Sequence, residues 1–366
     1  GICTITEPSC TCLNIALNDS ECQEVRLDVD IINYGGTCIN NPENFNNKVF
    51  DCQGHVIDGV GCTEIGVIGI YLDQKTNNTI KNCVVKEFCV GILLNSSTNN
   101  ILINNTLSNN TNYGIELDFS QNNTITNNTA RENFWGIYLY ESSDNVLTYN
   151  FVNNNGEYGI SLENSNNNTM TGNIIDNNNY IGIELFESNN NTITNNTISN
   201  NEHGIALSYS SDNIFINNSV NNGGIGITLS FSSNNLIENN NFTNNQYGIY
   251  SENSNSTINS NIVCNNAQYD FYSDDWLSSY GNNNTCDNPD GWNDTGTTGC
   301  TYSCQVTQCF DIMASGYYEL SNTITADKDP CININTSNVV LDCKGYEIIG
   351  SENFNGTAIY QAGQRN

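Results

Sequence analysis

Positive charge is nearly missing from this chain. Nine Lys and Arg stand against 39 Asp and Glu, a net charge of −30, and no Lys or Arg occurs between Arg131 and Lys328. A surface of that sign repels nucleic acid and anionic membranes. It keeps a chain soluble and suits an environment of cations. No apolar run approaches the roughly 18 residues of a membrane-spanning helix. No window shows the 3, 4, 7 spacing of an amphipathic helix. Cysteine is absent from the middle, where Asn is abundant; the 16 cysteines fall between Cys3 and Cys89 and between Cys264 and Cys343.

What fills the middle is repetition. Gly-Ile begins at Gly69, Gly91, Gly114, Gly136, Gly159, Gly182, Gly204, Gly226 and Gly248, with steps of 22 or 23 residues. Aligned on that pair, the units give an Ile column (Ile70, Ile92, Ile115, onward to Ile249) and a Leu column (Leu72, Leu94, Leu117, onward to Leu229). Two further apolar columns run from Ile80 and from Val85. Ile115 and Leu117 alternate with polar neighbours, which is a strand period, and Asn, Gly and Ser separate the strands. One unit has too few apolar residues to bury by itself, so units must stack, like on like. Asn columns run from Asn78 and Asn105. Asn tolerates the left-handed backbone of a tight turn, and stacked amides can bond from coil to coil. A leucine-rich repeat needs a different Leu frame, and a hexapeptide helix needs multiples of six. The reading is an all-β parallel β-helix of 22–23 residues per coil with disulfide-rich caps.

Phrases such as Asn122-Asn123-Thr124-Ile125-Thr126-Asn127-Asn128 followed by Gly-Ile resemble the β-helix repeats of carbohydrate-binding and sugar-hydrolase domains, of NosD-type periplasmic proteins and of archaeal surface proteins. The resemblance covers roughly residues 47–264 and implies a right-handed β-helix. The fold hosts lyases, hydrolases, epimerases, adhesins and fibres, so the resemblance alone does not select a function.

Sixteen cysteines point to an oxidising, secreted context. Zinc is the rival, but Cys10-x-Cys12 and Cys300-x3-Cys304 make no paired frame and there are two His. Cys52 and Cys83 share a column in successive coils, and stacked strands lie ~4.8 Å apart, within disulfide reach. Cys52–Cys83 is therefore expected, with Cys62–Cys89 as its natural companion. The chain opens at Gly1 without Met or a signal peptide, as a processed or truncated chain does.

The expected organisation is a Cys-rich N-terminal cap at 1–46, the β-helix at 47–264, a Cys-rich C-terminal cap at 265–304, and the start of a second homologous module at 305–366. The last expectation rests on echoes: Cys309-Phe310-Asp311-Ile312 repeats Cys12-Leu13-Asn14-Ile15, and residues 338–350 repeat 47–59. Such a stub implies either further modules or a covering second copy, hence an end-to-end array.

N-x-S/T sequons occur at Asn77, Asn95, Asn104, Asn109, Asn122, Asn127, Asn167, Asn190, Asn195, Asn217, Asn241, Asn255, Asn283 and Asn293, and also at Asn18, Asn335 and Asn355. In each Asn-Asn-Thr the first Asn is the acceptor and the second holds the column, so the acceptor is expected to face solvent and several sites to carry N-glycans.

No catalytic constellation is recognisable. A lyase of the calcium-and-base type lacks its base after Arg131. The outward column beside the Gly-Ile strands carries Glu116 and Glu184 three coils apart, ~14 Å, too far for a hydrolase pair. Asp118 lies on the same strand as Glu116, and His203 stands alone. Copper, by analogy with NosD-type proteins, finds two Met and two His in no cluster. The candidates for Ca²⁺ are Asp287, Asp290 and Asp294, whose spacing is not that of an EF-hand; no other cofactor is implied. Tyr113, Trp135 and Tyr158 precede Gly in three successive coils, with Tyr138 and Tyr140 nearby, and are candidates for sugar stacking.

Two functions follow. The first is a secreted, N-glycosylated structural protein of the cell surface or of an extracellular fibre, with itself as head-to-tail partner. The alternative is a polysaccharide-binding or carbohydrate-active β-helix protein. One consequence is immediate: after reduction and denaturation, trypsin leaves residues 132–328 as one fragment on a gel, because no Lys or Arg precedes Lys328 in that span. Internal cuts there would contradict the sequence.

Overall fold

A computed structural model describes residues 1–62, 66–276, 278–306, 308–312, 316–326, 328–335, 339–350 and 356–361. The chain forms the expected all-β, right-handed parallel solenoid, of about 15 turns. A typical coil has one long strand, Tyr113–Asp118, and two short ones, Thr124–Thr126 and Thr129–Arg131. Each stacks on its counterpart, giving a long-strand sheet of 11 strands, a first short-strand sheet of 12 and a second of 11. Register is strict: Ile92, Ile115, Ile137 and Ile160 are direct neighbours, as are Leu94, Leu117, Leu139 and Leu162. All eight are fully buried.

The polar interior is as regular as the apolar one. Asn123 donates its backbone N–H to Asn145 Oδ1 at 2.8 Å and its Nδ2 to Ser97 O, one coil back, at 2.9 Å. It accepts from Asn100 N at 2.9 Å. The column from Asn105 repeats this, as in Asn128 N to Asn150 Oδ1 at 3.0 Å. Two further ladders accompany these: Asn110, Asn133, Asn155, Asn178 and Asn201, and a serine ladder of Ser97, Ser120, Ser142, Ser165 and Ser188. Every one of these side chains is buried and hydrogen-bonded, as buried polar groups require.

The positive backbone angle falls on the residue before the ladder Asn. Asn122 has φ 57° and Asn127 φ 53°, whereas Asn123 and Asn128 do not enter the left-handed region. The two properties credited to one Asn in the sequence, turn conformation and amide pairing, thus belong to adjacent residues. Gly at the start of each long strand answers a different need. A Cβ on Gly136 would lie 2.6 Å from Gly159 O and 2.9 Å from Asn155 Nδ2.

Two ladders start on a lysine and the other two finish on an aspartate. Lys48 precedes Asn78 in its column and donates Nζ to Leu17 O and Asp19 O, both at 2.7 Å, at the end of the helix Cys10–Asn18. Lys75 opens the serine ladder and donates to Glu43 O. At the other end Asp294 accepts from Asn284 N, Asn284 Nδ2, Trp292 Nε1 and Thr301. Asp270 accepts from Asn266 Nδ2 and from the N–H groups of Asp287 and Asn288. Donor-only groups thus begin two of the columns, those of Asn78 and Ser97, and acceptor-only groups finish the other two, those of Asn105 and Asn110.

The Cys-rich N-terminal stretch is not irregular throughout. Ile2–Ile5 pairs with Glu24–Leu27, which pairs with Val49–Asp51; Ile31–Tyr34 and Ile39–Asn40 join the other two sheets. Rungs are present there, but insertions between the strands hide the 22-residue period. Disulfides join Cys3–Cys22, Cys10–Cys38, Cys52–Cys83, Cys62–Cys89, Cys264–Cys304, Cys286–Cys300 and Cys309–Cys331. The Cα atoms of Cys52 and Cys83 are 4.7 Å apart, the reach of one rung. Beyond residue 304, strands again stack in parallel: Phe310–Ile312 on Ile332–Ile334 and that on Ile359–Gln361. They enclose a separate core that includes Ile312, Leu320, Ile324 and Ile332.

Replacing Asn150 by Ala leaves the buried Asn128 N–H without its acceptor and removes one bond each from Ile125 O and from Asn128 Nδ2, which keeps Leu102 O and Thr126 O. With about 1–3 kcal/mol for an unpaired buried group, the expected loss is about 1–3 kcal/mol, read from the urea unfolding midpoint. A change below about 1 kcal/mol would deny the ladder its stabilising role.

Candidate functional site

The outward side of the long-strand sheet is where side chains of chemical interest converge. Its first column stacks Tyr113 on Trp135 and, further on, Tyr158, Ile181, His203, Ile225 and Tyr247. Its second runs Glu116, Tyr138, Ser161, Glu184, and its third Asp118, Tyr140, Glu163, Phe186. Strand alternation puts the second and third on one side, and ring contacts such as Tyr113 with Tyr138 place the first on the same face.

Rings pack along this face at rung spacing. Trp135 meets Tyr113 at 5.4 Å and Tyr158 at 4.7 Å, both edge to face; Tyr158 then meets Tyr180 at 5.9 Å, and Tyr180 meets His203. Tyr138 lies beneath them, parallel to Tyr113 at 5.1 Å and only 8% exposed. It was expected to offer a ring to a ligand. Instead it is a buried support, with its hydroxyl donating to Glu163 Oε2 at 2.6 Å. Tyr140 remains on the outer side, 6.5 Å from Tyr138. Trp135 Nε1 donates to Glu157 Oε2 at 3.0 Å, which fixes the indole.

These rings desolvate the acids between them. Burial, reinforced by Asp118, pushes the Glu116 carboxyl up to about 8. Asp118 is raised by burial as well. Burial raises Glu184, against the hydrogen bond from Ser161 Oγ at 2.7 Å. Burial and neighbouring carboxylates push Tyr113 and Tyr158 up to about 12, and burial and Glu163 raise Tyr138. Burial lowers His203, so its imidazole is neutral at pH 7. At neutral pH the face therefore presents a protonated Glu116 carboxyl able to donate, hydroxyls able to donate or accept, and flat rings. No Lys or Arg stands among them.

A second aromatic group borders the face at the turn after three of the long strands. Phe119 meets Tyr140 at 5.5 Å, Phe186 meets Tyr209 at 6.2 Å, and Tyr209 stacks on Phe231 at 5.3 Å. Phe119, Tyr209 and Phe231 are each about half exposed despite φ near 50°, a backbone state costly for bulky residues. Sequence reasoning passed over them. The available signal was an aromatic five residues after Gly, just before the ladder Ser, at Phe119-Ser120, Tyr209-Ser210 and Phe231-Ser232.

The acids proposed for Ca²⁺ have other work. Both oxygens of Asp294 finish a ladder, Asp287 Oδ1 accepts from Ser303 and Cys304, and Asp290 contributes backbone bonds to Phe271 and Trp276. Among the described residues no three His, Cys, Asp or Glu form a group able to hold a metal ion. The sequon acceptors Asn77, Asn104, Asn109, Asn122, Asn127, Asn167, Asn190, Asn195, Asn217, Asn283 and Asn293 are exposed, whereas Asn95, Asn241 and Asn255 are half-buried. Asn355 lies outside the described residues.

The profile of a family described as "Periplasmic copper-binding protein (NosD)" matches residues 15–181 and 152–318. Among solved structures, the periplasmic alginate epimerase AlgG is similar at 17% identity and a TM-score of 0.51, over 73% of each chain. PfbA, a surface adhesin of Streptococcus pneumoniae, is similar at 15% identity and a TM-score of 0.54, over 68% of this chain and 79% of that one. The Dettilon tailspike protein gp208 is similar at 13% identity and a TM-score of 0.54, over 89% and 62%. At such identities the likeness is one of fold. None of the curated proteins matches.

The raised Glu116 has a thermodynamic signature. An acid that holds its proton more tightly folded than unfolded makes folding stability fall as pH rises from its ordinary 4.5 to about 8. Glu116→Gln is expected to flatten part of that fall, measured as urea midpoints from pH 4.5 to 9. An unaltered pH profile would remove Glu116 from this account.

Proposed function

Because the chain belongs to the NosD family, whose β-helix frame fixes where side chains stand, we propose that it is an extracellular protein that binds neutral polysaccharide along its long-strand face. The observation that carries this reading is the ring series Tyr113, Trp135, Tyr158 and Tyr180 at rung spacing, with Glu116, Asp118 and Glu163 beside it. Rings stack on the apolar faces of pyranoses and flanking carboxyls bond their hydroxyls. The charge of −30 disfavours polyanions. Seven disulfides suit an oxidising compartment. Among the described residues no helix is long and apolar enough to cross a membrane.

Copper, which the family description names, does not fit the residues in hand. Met170 is fully buried between Leu147 and Ile193. His55 is bonded to Asp30, while His203 packs on Tyr180 in a distant coil. Among the described residues soft donors are dispersed, and no step of the proposal passes through a metal.

A structural role in a cell-surface array is the second reading, favoured by the separate stack of coils beyond residue 304. Filaments in electron micrographs of the purified protein would support it.

Affinity electrophoresis against neutral and acidic polysaccharides tests the first reading. At least one neutral polymer is expected to retard the protein. Trp135→Ala should weaken that binding several-fold, about 1 kcal/mol, with little change in melting temperature. Retardation by acidic polymers only, or an indifferent Trp135→Ala, would overturn it.

A further inference from the structure

We propose that the chain is N-glycosylated at the corners that border its first short-strand sheet, and that its long-strand face stays bare. This rests on the reading of the protein as extracellular. It does not depend on whether the long-strand face binds sugar.

The coil itself sorts the sequons. Nine acceptors share one geometry: Asn77, Asn104, Asn109, Asn122, Asn127, Asn167, Asn190, Asn195 and Asn217 are exposed, with φ between 53° and 58°. In each, the next residue points inward and the hydroxyl residue after that reaches the surface, as in Asn122, Asn123 and Thr124. Asn77, Asn122, Asn167 and Asn190 enter the first short-strand sheet; Asn104, Asn127, Asn195 and Asn217 leave it. Eight of the nine therefore line the two edges of one sheet, and Asn109 follows the second short-strand sheet. None of the nine belongs to a long strand.

Three sequons fail the same geometry. Ser97, the hydroxyl residue of the Asn95 sequon, is fully buried and donates to Leu72 O and Asn95 O within the serine ladder. Thr243, which serves Asn241, is 7% exposed, and the Oδ1 of Asn241 is itself buried. Thr285, which serves Asn283, is fully buried. A transferase that reads the hydroxyl two residues on cannot reach it at these places.

The co-reactant is a lipid-phosphate-linked oligosaccharide of the host. Asn Nδ2 bonds to the anomeric carbon, the anomeric carbon–oxygen bond to phosphate breaks, the lipid phosphate leaves with the electron pair, and the amide nitrogen releases one proton. The outcome is a bulky hydrophilic coat over one side of the coil.

The test is glycopeptide mass spectrometry on protein purified from its own organism, digested with a Glu-specific protease because trypsin has no sites from 132 to 327. Glycans are expected at most of the nine corner acceptors and absent at Asn95, Asn241 and Asn283. Thr124→Val, which imitates Val146 in the same column, should remove one glycan, that on Asn122, and leave the melting temperature nearly unchanged. Disulfide-complete protein without any glycan, or occupancy at Asn95, Asn241 and Asn283 equal to that at the corners, would overturn the proposal. Polysaccharide binding by the Trp135→Ala variant is read separately, so either idea can fail while the other stands.

Discussion

A buried asparagine that donates forward and backward along the axis is the constraint on which the rest of this molecule depends. A coil of 22 or 23 residues turns several times, and each turn exposes backbone groups toward the interior. Asn123 answers three of them, through Asn100 N, Ser97 O and its own N–H to Asn145. The bonds form only if the next coil offers the same residue at the same height. Apolar columns follow from that registration: once the amides are stacked, Ile115 must lie on Ile137 and Leu117 on Leu139.

Filling the inside this way leaves the outside free to vary. Outward positions along one short sheet hold Thr, Ile or Val almost interchangeably, as at Ile101, Thr124, Val146 and Thr169. The long-strand sheet uses the same freedom differently, collecting Tyr113, Trp135, Glu116 and Glu163. Six residues per long strand against three per short one give it the breadth for three outward columns. The breadth lets rings shield carboxyls, which is why Glu116 holds its proton near neutrality.

Much of this was legible in the sequence because stacking converts identity into periodicity. The Gly-Ile pairs, the Leu column, two Asn ladders and the Cys52–Cys83 column could be read by counting. Two kinds of feature could not. Tyr138 occupies an outward strand position, yet neighbouring rings bury it; alternation gives direction, and exposure depends on what the adjacent coils carry. The ladder ends were also hidden, because Lys48 and Asp294 do not resemble the residues they terminate. Asp294 therefore read as a cation ligand when its oxygens were already committed to amide groups. The third Asn column and the serine column were visible in principle and lay one turn from those that were counted.

The specialised ends, lysine at the start of two ladders and aspartate at the finish of the other two, have an evolutionary reach. Interior coils present the same donors above and the same acceptors below, so duplicating or deleting one leaves both termini chemically undisturbed. A lineage can therefore lengthen or shorten the body in steps of one rung, ~4.8 Å, while selection guards only the two extremities. Body length and any surface carried on it become heritable variables, separable from foldability.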